Sequence, residues 1–353
     1  MTNPQTLSHL WPGVPLALGS AALFGAVSPF SKLLLDAVTP FMLAGLLYFG
    51  AGVGLTVFWL YRRSADKQSE ASLQRADLPW LAGAIAMGGV VAPVLLMAGL
   101  SLTTASSAAL LLNVEGLATM AIAWLVFREN VDRQLLFGAG AILAGAIVLS
   151  WEGQGIALDP GALLVIGACL AWGVDNNLTR KISAADPVTI AMLKGLVAGT
   201  VNIVLALISG ATLPHAATFG AAALVGFLGV GVSLVMFIFA LRHLGTARTG
   251  AYYSLAPFIG AFLAIALLGE PLTARLLIAG VLMGIGLWLH LAERHAHEHD
   301  HEAIEHEHSH VHDAHHQHTH EESGAEPHSH SHRHAPMRHS HVHYPDLHHR
   351  HRH

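Results

Sequence analysis

Apolar residues fill most of this chain in runs of about twenty, each ended by a short polar or basic stretch. A helix rises 1.5 Å per residue, so ~20 residues cross ~30 Å of hydrocarbon. Ten such runs can be drawn: Val14 to Leu35, Pro40 to Tyr61, Leu81 to Leu100, Thr103 to Phe127 and Gln134 to Ser150, then Gly161 to Asn177, Val188 to Ile208, Phe219 to Leu241, Thr249 to Leu268 and Leu276 to Leu291. The series is also duplicated. Gly25 to Gly145 resembles Gly173 to Gly286, and Thr104 to Glu129 aligns without a gap on Gly245 to Glu270, both runs closing on glutamate. Phe24, Gly25, Lys32 and Pro40 correspond to Trp172, Gly173, Arg180 and Pro187 with a one-residue slip. An odd number of crossings per copy forces the second copy to insert upside down, as in the inverted repeats of secondary transporters. The expected fold is all-α and integral to the membrane: ten transmembrane helices as two inverted five-helix repeats, 1–155 and 156–292, followed by a disordered His-rich tail over 293–353.

Composition agrees, since the chain is 53% hydrophobic and 12% charged, with mean hydropathy +0.51 despite its polar end. No soluble core of this size needs so much apolar sequence. The cations set the orientation. With a cytosolic N-terminus, Arg62, Arg63, Lys67, Arg75, Arg128, Arg133, Arg180, Lys181, Arg242, Arg248 and Arg294 fall in inner loops, against Lys32 and Arg275 outside. That bias predicts a multi-pass protein of the cytoplasmic (inner) membrane, with N- and C-termini cytosolic. Trp59, Trp80, Trp124, Trp151 and Trp288 fall near span ends, where indole anchors at the interface. The first run is followed by many others and has no charged n-region, so it is expected to remain as a span.

Several function classes drop out. Cys169 is the sole cysteine, which excludes an intramolecular disulfide and a thiolate metal cluster. No G-x-x-x-x-G-K-[ST] loop offers ATP a site, and no catalytic constellation is evident, so the chain reads as no enzyme and as driven by a gradient or by exchange. Membrane lipid and a small-molecule substrate are the expected partners, with no nucleic acid. The oligomeric state is not written in the sequence.

The glycine-bearing first helix of each half with a basic residue seven positions on (Gly25 with Lys32, Gly173 with Arg180), the Pro40 and Pro187 starts and the fourth-helix runs ending in Glu129 and Glu270 together resemble the EamA-like ten-helix members of the drug/metabolite transporter superfamily, over about Leu16 to His290. Pro257 fits that family's mid-helix proline, and Gly116 stands in its place in the first half. The resemblance implies the fold and a transport role for amino acids, metabolites or drugs. Glycines such as Gly138, Gly140, Gly145, Gly226, Gly229 and Gly231 read as helix-packing positions.

Ionisable residues inside the spans are the sharpest chemical clues, because a charge at mid-membrane costs ~2.5 to 3.5 kcal/mol even on insertion scales. Glu115 lies about 18 Å from the inner edge at helical rise, near the midplane, with Asn113 close by and Ala256 as its repeat counterpart. It reads as a proton-titrating or substrate-orienting group, or as a structural carboxylate. Asp175 and Lys194 flank the Arg180 to Pro187 loop, each within ~10 Å of the inner surface. They can pair, with Asn176 and Asn177 adding donors and acceptors, as a structural lock or as an inner gate or substrate clamp. Tyr252, Tyr253 and Ser254 face Leu112 and Asn113 across the repeat and can line the same cavity or simply pack.

The tail holds every one of the 27 histidines except His9, His215, His243 and His290. Candidate metal ligands are His295, His297, His299, His301, His306, His308, His310, His312, His315, His316, His318 and His320, in a stretch whose charges are acidic as far as Glu326, while Pro327 onward carries Arg333, Arg338, Arg350 and Arg352. Imidazole with carboxylate suits Zn, Ni, Co or Cu. Alternate residues of one extended strand stand ~6.6 Å apart, too far to share one ion without a bend, so several exchangeable sites are expected, or else a tail that gains charge below ~pH 6.5. No cofactor is required. The leading reading is a secondary transporter exporting small organic metabolites or drugs, with a metal-binding cytosolic tail. The alternatives are a transition-metal (Ni/Co/Zn) efflux protein fed by that tail and a membrane-bound metal buffer or sensor.

Overall fold

The computed structural model describes residues 13–64, 72–127, 133–151, 159–182, 185–244 and 246–291, together with 296–301, 305–310, 328–333 and 337–342 of the tail. The first half comprises α1 (Gly13–Leu34), α2 (Pro40–Ser64), α3, α4 and α5 (Arg133–Ser150). The second comprises α6 (Pro160–Lys181), α7 (Pro187–Ile208), α8, α9 and α10 (Ala274–Leu291). Among the described residues, nine helices are long and apolar enough to cross a membrane, and the tenth crossing, α9, is made in two pieces.

The irregular helices come in matched pairs. In α3, a π turn (Ile85–Val91) joins the helical segments Leu78–Ala84 and Ala92–Leu102. In α8, a π turn (Phe227–Val232) joins Ala216–Gly226 to Ser233–Leu244. Helix α4 breaks between Ala105–Leu111 and Val114–Phe127, and α9 between Thr246–Tyr253 and Ala256–Leu268. The single run Thr103 to Phe127 expected from sequence is therefore two helices. Gly116 is not where it breaks. The interruption falls at Leu112 and Asn113, where the Asn113 amide donates to the Leu110 carbonyl at 2.8 Å and the Cys169 thiol donates to that of Leu111 at 3.5 Å. In α9 the second segment instead begins with Pro257 in its first turn, where a missing N–H costs nothing.

Packing follows the duplication. Helix α2 lies along α7 and α5 along α10, while α1 packs on α8 and α9 just as α6 packs on α3 and α4. Exchanging the halves maps these pairings onto one another. The crossings depend on missing side chains, for a Cβ on Gly195 would lie 2.8 Å from the Cα of Gly52, and one on Gly260 would lie 2.7 Å from the Gly25 carbonyl. Gly140, by contrast, meets nothing within 4 Å, so it is no packing position. Outward faces are apolar, as a lipid-facing surface requires: Phe137, Leu125, Val57 and Ile208 are all exposed. Trp80, Trp124, Trp151 and Trp288 are exposed near helix ends, and the Arg63 guanidinium sits 5.2 Å over the Trp59 ring.

In the tail, Ala296–His301 pairs antiparallel with Met337–Val342, and Glu305–His310 with His328–Arg333. These ladders have two strands each, a form only marginally stable in water.

Bulk at the α2–α7 crossing should be poorly tolerated. Gly195→Val is expected to lower stability by about 1–3 kcal/mol through overpacking, read as an earlier thermal unfolding midpoint of the detergent-solubilised protein.

Candidate functional site

The start of the second α4 segment, the middle of α6, α7 and the π turn of α3 meet in one polar cluster. Asn176 is exposed, and its amide donates both to Glu115 Oε1 at 2.9 Å and to Thr119 Oγ1 at 3.1 Å. The Thr119 hydroxyl donates in turn to the Glu115 carbonyl at 2.9 Å. Asn177 faces inward, giving its amide to the carbonyls of Thr119 (3.0 Å) and Gly173 (2.8 Å), which ties α6 to α4. One asparagine meets the acid and its neighbour ties the scaffold.

Asp175 and Lys194 form an ion pair through Oδ2, and Asp175 Oδ1 accepts from the Thr179 hydroxyl at 3.0 Å. The Asp175 side chain is 4% exposed and that of Lys194 18%, so the acid is the more deeply buried member of the pair. Glu115 lies within electrostatic reach of both. The sequence set Glu115 near the midplane and the Asp175–Lys194 pair near the inner surface. The structure joins them through Asn176, the neighbour of Asp175.

The π turn of α3 makes room for that pair. A Cβ on Gly88 would overlap the Asp175 carboxylate, so only glycine fits there. Carbonyls of the turn are met by side chains from three helices: Tyr48 donates to Gly88 O at 2.8 Å, Trp172 to the same oxygen at 3.0 Å, and Asn202 to Gly89 O at 3.0 Å. Sequence reasoning singled out none of Tyr48, Gly88, Thr119 and Asn202. Asn202 alone offered a signal, as an uncharged amide deep in an apolar run.

The remaining sequence candidates lie apart from this cluster. The amide of Asn113 faces Leu110 and, at 4.0 Å, the sulfur of Met283, so it seals the α4 break. Tyr252 packs on the cluster of Ala17, Ala240 and Leu244. Tyr253 stacks its ring at 5.6 Å from Phe24 and 4.9 Å from Phe237, yet it remains in electrostatic reach of Glu115. Ser254 is half-buried, its backbone N–H on Gly250 O at 2.9 Å. The described residues contain no group of three or more His, Cys, Asp or Glu able to hold a metal ion. Of the tail candidates, His295, His312, His315, His316, His318 and His320 lie outside the described residues, and the others are placed by backbone register alone.

Ten crossings in two exchangeable halves, with an acid, an amide and an ion pair gathered between them, define a membrane transporter rather than an enzyme. The model of the EamA-like transporter family matches residues 11–151 and again 159–292, and the chain belongs to that family. It is 28% identical over 305 residues to an uncharacterized transporter of Methanothermobacter thermautotrophicus, covering 80% of this chain and 87% of that one. It is also 28% identical to a probable amino-acid metabolite efflux pump of Salmonella typhimurium, over 53% of this chain and 67% of the pump. A probable terminal-alkyne amino-acid exporter of Streptantibioticus cattleyicolor is 27% identical, over 60% of this chain and 73% of the exporter. A protein of known crystal structure, at 18% identity, superposes with a TM-score of 0.58, covering 79% of this chain and 95% of its own, and shares the fold.

The ion pair should behave as a unit. Asp175→Asn strands the Lys194 ammonium and is expected to cost about 3–5 kcal/mol, read as a lower unfolding midpoint. Exchanging the two residues in one double variant should recover much of that stability without recovering transport in vesicles.

Proposed function

We propose that this chain is a secondary transporter that exports small organic solutes bearing an ammonium group, amino-acid-like metabolites among them, across the cytoplasmic membrane. The observation that carries the reading is Glu115. Its Oε1 takes the Asn176 amide, while its Oε2 has no donor among the described residues, and it stands at the mouth of a cluster whose other acid is already neutralised. An ammonium group supplies the missing donors, and a proton does the same in its absence. Binding of one in place of the other couples solute movement to the proton gradient. In this reading Lys194, the less buried member of the ion pair, is the group that holds a solute carboxylate. The similarity to a probable amino-acid metabolite efflux pump of Salmonella and a probable terminal-alkyne amino-acid exporter of Streptantibioticus supports an amino-acid-like cargo. The cation bias of the loops supports cytosolic termini.

Inverted vesicles with and without an imposed proton gradient test this. Radiolabelled amino acids and amines should accumulate only with the gradient, and Glu115→Gln should cut gradient-driven uptake at least ~100-fold while leaving the protein folded. Uptake at the native rate and with the native pH dependence in that variant would refute the assignment.

The tail favours a second, separate activity: binding of Zn, Ni, Co or Cu as a cytosolic buffer or regulator rather than as cargo. Its backbone register sets His299 opposite His339 and His308 opposite His330, and directly opposed positions bring Cβ atoms within ~4.5–5.5 Å, closer than alternate residues of one strand. Titration calorimetry should give heat at micromolar Zn or Ni with the full chain and none after deletion of 293–353, with amino-acid uptake unchanged.

A further inference from the structure

The two π turns make the same notch and fill it differently. In α3 the missing side chain of Gly88 leaves room for Asp175, which is paired with Lys194. The repeat alignment that sets Ala105 on Thr246 also sets Gly88 on Gly229, in the π turn of α8. A Cβ on Gly229 would overlap Val27, so α1 fills that notch as α6 fills the other. Val27 answers to Asp175 when Lys32 is set on Arg180, and Leu47 answers to Lys194 when Pro40 is set on Pro187. Both are buried, and both belong to one apolar cluster.

One fold thus closes over valine and leucine in the first case and over aspartate and lysine in the second. Stability favours the apolar filling. Charges inside a membrane bundle are costly, and replacing a buried ion pair by apolar residues of similar volume is often neutral or stabilising. The notch therefore does not need the pair. Glu115, in electrostatic reach of both charges, likewise answers to an apolar residue, Ala256. All three ionisable groups of the cluster stand on one side of the repeat only, and together they offer one cation and two anions to a solute. An ammonium carries three donors, of which Lys194 gives one to Asp175 among the described residues, so donors remain for a second carboxylate.

We propose that the Asp175–Lys194 pair is a recognition element rather than a structural lock: Lys194 holds the carboxylate of a zwitterionic solute, and Asp175 is the positioning residue that keeps the ammonium charged while no solute is bound. The proposal rests on the reading of Glu115 as the acceptor of the solute's ammonium group. With both in place the protein selects an amino acid over the amine left when its carboxylate is removed.

The test uses the full chain in proteoliposomes with matched probes, phenylalanine against phenethylamine and leucine against isopentylamine. The parent should favour the amino acid of each pair. Asp175→Val combined with Lys194→Leu copies the filling of the other notch. It should unfold no earlier than the parent, while the ratio of amino-acid to amine uptake falls at least ~10-fold, as loss of hydrogen bonds to a charged group implies. That fall should lie in KM for the amino acid. An unchanged ratio in the folded variant overturns the proposal. If the variant unfolds early, Asp175→Asn combined with Lys194→Met, which keeps both shapes, decides in its place: early unfolding there too makes the pair a structural lock, and an unchanged ratio overturns recognition equally. A parent that moves neither member of either pair refutes the transport reading and the proposal with it. Should Glu115→Gln move both probes at the native rate, the role of Glu115 falls, and the ratio in the double variant still judges the pair.

Discussion

Hydrocarbon offers no hydrogen bonds, so every backbone N–H and C=O placed in it must find a partner within the protein. Continuous helices solve this locally, and six of the ten crossings are of that kind. The other four break the ladder, and at two of the breaks, in α3 and α4, side chains from other helices meet the carbonyls concerned. Leu110 and Leu111 receive Asn113 and Cys169, while Gly88 and Gly89 receive Tyr48, Trp172 and Asn202. Below its own π turn, α8 is tied to α1 by reciprocal bonds, Ser20 Oγ to Ser233 O at 2.7 Å and Ser233 Oγ to Ser20 O at 3.0 Å. The α3 turn is the break that adjoins the polar cluster, since its Gly88 lies against Asp175.

Glycine supplies the other half of the construction. Between lipid-soluble helices there is no hydrophobic drive to associate, so close van der Waals approach must hold them, and small residues at the crossings permit it. The same device admits chemistry at Gly88, where the absent side chain leaves space for a carboxylate and its lysine. Packing and site thus use one resource. The ion pair stays inside the bundle because its charges cancel and because Thr179 and Asn176 attend to its neighbourhood.

Much of this was legible before any coordinates. Helix number, the doubling and the pairing of Asp175 with Lys194 follow from hydropathy runs and rise per residue, which act locally and leave plain marks. Glu115 stood out because a lone acid in an apolar run is costly. Asn113 stands apart from Glu115 because its amide is taken up by the Leu110 carbonyl at the break in α4. Tyr252 and Tyr253 turned to packing, where aromatic rings gain most. The π turns left no sequence signature, because one extra residue in a helix changes its hydrogen bonding without changing its apolar character. The partner of Glu270 was equally hidden: the motif was visible, but the N–H donors it meets, those of Ala105 and Ser106, lie in the other half of the chain.

The π turns also date the parts of the molecule. Aligning Glu129 with Glu270 brings Val91, the last residue of one turn, onto Val232, the last of the other. Two independent insertions at one site are a poor explanation; a single ancestral unit that already contained the bulge, and was then copied, is a simple one. Glu115 answers to Ala256 and so distinguishes the copies. The irregular backbone is therefore older than the duplication, whereas the acid at this position records how the two copies diverged after it.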